Sequence, residues 1–345
     1  PAASSLSSNA GSNQLQQDPA SFRIEMWSSL TRQSICSRGS SRPWKQLVGA
    51  LSSSQLTAAS RAHAVRPRPQ TQNAYYSSLK TTTGAPSTSQ PVNMGIKTDI
   101  HLYTTGTPNG IKVSILLEEL GLEYQVTKID IMKNVQKEQW FLDINPNGRI
   151  PALTDTFTDG KTINLFESAS IMQYLVDRYD TEHKVSYPHG SREHYQVQNW
   201  LYWQMGGLGP MQGQANHFSR YAPEKIQYGI DRYQNETRRL YGVMETQLAS
   251  NPSGYLVGDK ATIADFACWG WVAGYSWCGI DIEPFPHLKA WLFKLKERPG
   301  LDKGRNVPTP HTALDHVGKS QEELDKMAEE SRKWIQAGMA ADAKK

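Results

Sequence analysis

The stretch "HLYTTGTPNGIKVSILLEELG", residues 101–121, decides the architecture. Its first residues read as a strand. Thr107-Pro108-Asn109-Gly110 then supplies residues that favour turns. Immediately afterwards apolar residues recur at Val113, Leu116, Leu117 and Leu120, a helical spacing that Gly121 stops. A strand that turns directly into a helix is the opening of an α/β unit. The turn itself holds neither cysteine nor tyrosine; Tyr103 precedes it and reads as a core or edge residue.

Outward from this stretch the alternation continues. "LEYQVTKIDI" (122–131) is a second strand beside the first, and "KEQWFLDIN" (137–145) a short helix ended by Pro146. "RIPALTDT" (149–156) and "KTINLFES" (161–168) are close enough to pair as a hairpin. "SASIMQYLVDRY" (168–179) closes the unit as a helix with Ile171, Tyr174, Leu175 and Tyr179 on one face. The order βαβαββα places an α/β domain at 98–182.

Beyond "YPHGSREH" only helical periods remain, which places an all-helical domain at 190–318. Its tryptophan-rich helix "HYQVQNWLYWQM" (194–205) is expected to break at "GGLGP" (206–210). A long helix from Pro223 to about Ala249 carries Ile226, Ile230, Tyr233, Leu240, Met244 and Leu248 along one face. "TIADFACWGWVAGY" and "HLKAWLFKLKERPGL" follow as two more helices. Thr262 and Asp265 stand three apart before an apolar run, a capping box that fixes the fold. The tail, 319–345, reads as a charged, exposed helix.

The 345 residues carry a formal charge of +4, unevenly spread. Residues 1–93 hold nine Lys/Arg against two acids, leaving 28 basic and 31 acidic side chains for the rest. The globular part is thus near neutral, which does not predict nucleic-acid binding. Three cysteines, Cys36, Cys268 and Cys278, form no CxxC pair and no framework, which fits a reducing compartment. No apolar run is long enough to predict a membrane span, and no cluster predicts a metal site. Residues 1–93 are Ser-, Arg- and Gln-rich and read as a disordered leader. Its central segment, arginine-rich and free of acids, also has the composition of an organelle transit peptide.

Three segments carry a resemblance: "PNGRIPAL", "FESASIMQYL" and "LVGDKATIADFACW", in that order. They resemble the cytosolic-type glutathione transferases, in which a thioredoxin-like domain precedes an all-helical one. "TPNGIKV", "WLYWQMGGLGPMQGQANHF" and "RYQNETRRLYGVME" narrow the likeness to the nu-class disulfide-bond oxidoreductases and to the fungal enzymes related to the yeast nitrogen-regulation prion protein. The resemblance covers about residues 98–302.

It implies roles. Pro151 matches the family's cis-proline, which turns the backbone of Ile150 toward the cysteinyl unit of glutathione. Glu167 and Ser168, between a strand and a helix, match the γ-glutamyl site, where a helix start suits a carboxylate. Gln136 aligns with a side chain that reaches the other end of glutathione, and Arg232 with an arginine directed at the glutathione site of the dimer. Trp203, Met211, Asn216 and His217 are candidates for the second-substrate pocket, and equally for core. The implied partners are glutathione as co-substrate, a small electrophile or disulfide, and a second copy of the chain. No metal, nucleic acid or membrane is implied. The implied location is cytoplasmic, or mitochondrial where the leader acts as a transit peptide.

No cysteine lies between Met94 and Tyr195, so the reactive sulfur must be glutathione's own. A free thiol titrates near pH 8.5, and lowering that by two units takes about 2.7 kcal/mol. A helix start supplies roughly 0.3–2 kcal/mol for an anion, and one hydrogen bond to a charged group about 1.5–3 kcal/mol. The Thr107 hydroxyl and Asn109 amide together can meet that demand. The thiolate would then attack a disulfide, an electrophile or a peroxide. Two other readings remain open: a non-catalytic regulatory or scaffold protein, and a transferase of a secondary-metabolism pathway.

Overall fold

In the computed structural model the described residues are 96–342, with side chains described to 340. The leader reading and Cys36 lie outside them. Four strands form one sheet: β1 (His101–Thr104), β2 (Gln125–Lys128), β3 (Ala152–Thr156) and β4 (Thr162–Phe166), in the order β2-β1-β3-β4. Leu102 pairs in parallel with Val126 and antiparallel with Leu153, so β1 is central. Its parallel pairing with β2 needs a crossover, which α1 (Gly110–Leu120) provides. The expected β3–β4 hairpin is present, with Ala152 opposite Phe166 and Thr156 opposite Thr162.

Helix α1 is buried almost all round: Ile111, Val113, Ile115, Leu116 and Leu117 are each 0% exposed. It runs between α3 (Ser168–Tyr179) and two helices of the later half, α7 (Ile263–Ala273) and α9 (Pro299–Gly304). At Gly304 an added Cβ would come within 2.4 Å of the Ile115 Cα, so glycine is what lets α9 lie against α1. Ser114 seals this contact by donating to the Gly304 carbonyl at 2.7 Å. One hydrophobic cluster therefore runs through both halves. Tyr103 packs on a smaller cluster around Ile129, Phe141 and Ala152.

Several elements differ from expectation. The 137–145 helix shrinks to α2 (Gln139–Leu142), preceded by single 3₁₀ turns at Ile131–Lys133 and Val135–Lys137. "GGLGP" does not break its helix. After α4 (Arg192–Trp203) the backbone stays helical through a π turn, Gln204–Leu208, into α5 (Gly209–Asn216) and a second π turn, His217–Tyr221. Pro210 sits in the first turn of α5, where its missing N–H costs nothing. Gly209 is required there, since a Cβ would lie 2.8 Å from Gln204 Nε2 and 3.3 Å from the Trp271 indole.

The long helix is α6 (Gln227–Ser250), and α8 (Pro286–Lys296) packs beside it. The Thr262–Asp265 capping box is formed, and Asp265 also accepts from the Leu256 amide at 3.0 Å and the Trp291 indole at 2.8 Å. The tail is not a single exposed helix. It divides into α10 (Gln321–Met327) and α11 (Glu329–Asp342) and folds back onto buried Arg220. Arg220 donates to Asp325 and Gln321, and Arg332 donates to the Arg220 carbonyl at 2.7 Å.

Candidate active site

A cavity of about 680 Å³ opens where the C-terminal end of β1, the start of β3 and the start of α3 meet the helical half. Thr107 and Asn109 line it from the turn before α1. Ile150 and Pro151 line it from the approach to β3, Glu167 and Ser168 from the start of α3, and Gln136 from a 3₁₀ turn. Seven of the sequence-derived residues thus share one cavity, drawn from four separate stretches of chain.

Each wall has a local cause. The Thr107 hydroxyl accepts the Gly110 N–H at 3.1 Å, and its carbonyl accepts Ile111 N–H at 3.1 Å. The first amides of α1 are therefore already satisfied. What the turn can still offer an anion is the Thr107 hydroxyl hydrogen and the Asn109 side chain. Gly110 is obligatory, because a Cβ there would lie 2.1 Å from the Thr105 carbonyl oxygen. The Asn109 carbonyl oxygen accepts the Trp271 indole N–H at 3.0 Å, so the NH₂ end keeps both hydrogens for the cavity. The Ile150–Pro151 bond is cis.

Glu167 has φ +67°, a conformation rarely held by a non-glycine residue, and its side chain is exposed. Backbone strain of this kind concentrates at functional sites. It turns Glu167 outward while Ser168, 3% exposed, opens the helix. Gln136 is buried, and its Oε1 has no hydrogen-bond partner, an acceptor directed at a cavity it lines.

The cavity floor holds a residue that sequence reasoning misses. Lys112, 0% exposed, donates to Ser168 Oγ at 3.1 Å, Gln204 Oε1 at 2.6 Å and Met205 Sδ at 3.5 Å. Burial pushes its pKa down to about 7, against smaller raising effects of Cys268 and Glu167. Cys268 and Cys278 are free and buried, and burial pushes both thiols up, Cys278 to about 12. Neither lines the cavity.

The opposite wall comes from Met205, Pro210, Trp271 and Trp334. Trp334 arrives from α11, its indole donating to Asn134 Oδ1 at 3.3 Å. The candidates for the second-substrate pocket lie elsewhere. Trp203 stacks edge-on against Trp200 at 5.0 Å, His217 against Phe218 at 5.3 Å, and Asn216 keeps a buried, unpaired Oδ1. Met211 and exposed Arg232 line a separate groove on α6, with Tyr228 and Arg239. Among the described residues no group of acidic, His or Cys side chains could hold a metal, and no helix is long and apolar enough to cross a membrane.

A four-stranded mixed sheet with a cis-proline cavity, backed by helices, defines a thioredoxin-like domain joined to a helical transferase domain. Family models bear this out: "Glutathione S-transferase, N-terminal domain" matches residues 107–178, and "Glutathione S-transferase, C-terminal domain" matches 215–303. The chain is 42% identical over 202 residues to the disulfide-bond oxidoreductase YfcG of Escherichia coli, covering 58% of this chain and 91% of that protein. A glutathione S-transferase-like protein of Aspergillus terreus, gedE, is 39% identical over 222 residues, covering 61% and 96%. A crystal structure of a glutathione transferase homolog from Lodderomyces elongisporus, with two glutathione molecules per subunit, superposes with TM-score 0.58 at 48% identity, covering 61% and 99%. The chain belongs to the glutathione S-transferase family.

Proposed function

We propose that the protein binds glutathione in the 680 Å³ cavity and activates its thiolate chiefly for disulfide reduction. The observation that carries this reading is the convergence of Thr107, Asn109, Gln136, Ile150, Pro151, Glu167 and Ser168 on a cavity with no cysteine of its own. Glu167 takes the γ-glutamyl ammonium and Ser168 its carboxylate. The backbone of Ile150 aligns the cysteinyl unit, and Gln136 meets the glycyl end. Thr107 and Asn109 donate to the sulfur, favouring its ionised form.

The thiolate attacks one sulfur of a disulfide, forming a mixed disulfide and releasing the other sulfur as thiolate. A second glutathione then displaces the remaining thiol, giving glutathione disulfide. The aromatic wall of Trp271 and Trp334 suits a bulky disulfide, and equally a flat electrophile for conjugation. Kinship with a disulfide-bond oxidoreductase, and with a homolog that holds two glutathiones per subunit, favours the first and a nu-class assignment. In this reading residues 98–182 hold glutathione, 190–318 supply the facing wall, and the 319–345 tail adds Trp334. Arg232 acts across a homodimer. A chemistry that consumes reduced glutathione belongs in a reducing compartment, here the cytoplasm.

The test is a paired assay with a mixed disulfide and a chlorodinitroaromatic, on wild type and Asn109→Ala. Loss of rate on both is expected, with the disulfide the better wild-type substrate. Full retention in the variant would overturn the mechanism.

A further inference from the structure

We propose that Lys112 is a positioning residue of the glutathione site: its buried ammonium orients and polarises the Ser168 hydroxyl, so that binding the γ-glutamyl carboxylate is coupled to proton uptake by Lys112. The inference rests on the proposed glutathione site and deepens it.

The geometry begins with an imbalance. An ammonium has three donors, and here they meet three neutral acceptors, Ser168 Oγ, Gln204 Oε1 and Met205 Sδ. No carboxylate pairs with Lys112 among the ion pairs of the described residues. As a fold-stabilising element this is a poor choice, since a buried unpaired charge costs more than an apolar side chain of similar volume. As part of an anion site it is reasonable. Ser168 Oγ is occupied as an acceptor by Lys112, which leaves its hydrogen free to donate. Without ligand that hydrogen reaches only the Met205 thioether at 3.5 Å, a weak acceptor. A carboxylate arriving at the start of α3 is far stronger, and it brings the missing countercharge.

The surroundings leave the ammonium dependent on that arrival. From α7 it faces Cys268, whose thiol burial keeps protonated and which Asp265 pushes further the same way. From the approach to α3 it faces Glu167, which is exposed to solvent. The π turn presents only Gln204 and Met205. On the α9 side the charges are paired among themselves, Arg298 with Glu119 and Lys303 with Glu118. With its pKa pushed down to about 7, Lys112 is partly deprotonated in the free protein near neutrality. A bound carboxylate favours the charged form and draws a proton in.

The sign follows. Below pH 7 the lysine is protonated with or without ligand, and affinity is flat. Above it, binding must take up a proton, so affinity falls as pH rises, by about fivefold between pH 7 and pH 8. The probe is S-methylglutathione, which has no thiol to titrate, followed by calorimetry in PIPES and in Tris. Their different ionisation heats report proton uptake, expected near half a proton at pH 7. Lys112→Met should bind at least about tenfold more weakly at pH 6.5 and lose the uptake, since it removes a charge behind a hydrogen bond. Any titration of the ligand's own ammonium is common to both proteins, so the difference belongs to Lys112. Ser168→Ala, which keeps the lysine and cuts the relay, should also lose most of the uptake. Equal proton uptake in wild type and Lys112→Met would overturn the inference alone. So would binding by wild type with no uptake, whether or not the variants fold. Failure of wild type to bind at any pH would overturn the glutathione site and this inference together.

Discussion

Asp265 and Lys112 are both 0% exposed and both charged in isolation, yet they are housed in opposite ways. Asp265 receives the Leu256 and Thr262 amides, the Thr262 hydroxyl and the Trp291 indole. Burial raises its pKa, and those donors push back. Lys112, one helix away, meets neutral acceptors at the floor of an open cavity. A buried charge with every partner supplied by the protein belongs to the fold. A buried charge short of a countercharge, beside a cavity, belongs to the ligand.

The comparison is broken most directly at Asp265. Asp265→Ala leaves two amides and an indole without acceptors and should cost about 3–5 kcal/mol in urea unfolding. A cost below about 1 kcal/mol would remove the distinction. Next in size is Asn109→Ala, which takes a donor from the sulfur rather than from the fold. Turnover should drop roughly 10- to 100-fold, and the pKa of bound glutathione, read from thiolate absorbance, should rise by about one to two units. Thermal stability should barely move.

A third measurement concerns Lys112 in the absence of ligand. Its folded pKa of about 7 lies below the ordinary lysine value of 10.5, so between these the unfolded chain binds more protons. Wild-type stability relative to Lys112→Met should therefore rise with pH across that window, by up to about 1.4 kcal/mol per unit. The burden is full below pH 7. A difference that stays flat with pH would show the lysine is not buried as a charge. The smallest effect is at Trp271, which holds Asn109 by one neutral hydrogen bond. Trp271→Phe should slow turnover by about fivefold, and add little to Asn109→Ala in the double variant.

Much of the fold is legible in the sequence alone. The strand, turn and helix of residues 101–121, the hairpin ahead of Glu167–Ser168 and the Thr262–Asp265 cap each have a local physical signature that packing preserves. The residues gathered around the cavity from the α/β half follow from the resemblance of short segments, and the structure brings them together. Lys112 is illegible because a lysine beside a helical stripe reads as a solvated face. Only the packing of α1 between α3, α7 and α9 buries it. Trp271 and Trp334 fall on helical periods that look like ordinary core or tail. The second-substrate candidates Met211, Asn216 and His217 presuppose a helix broken at "GGLGP". The helix instead continues, and Met205 and Pro210 take the cavity face.

The π turn at Gln204–Leu208 also constrains how this chain can vary in length. It packs an extra residue into one helical turn, and each helical residue advances the side-chain direction by about 100°. Losing a single residue there would let the segment relax into an ordinary helix with its hydrogen bonds intact. Everything after it would then be rotated: Pro210 would leave the cavity, and Gly209 would no longer face the Trp271 indole. Substitutions in this turn can be absorbed side chain by side chain, whereas an insertion or deletion of one residue would dismantle a wall of the site while leaving the helix whole.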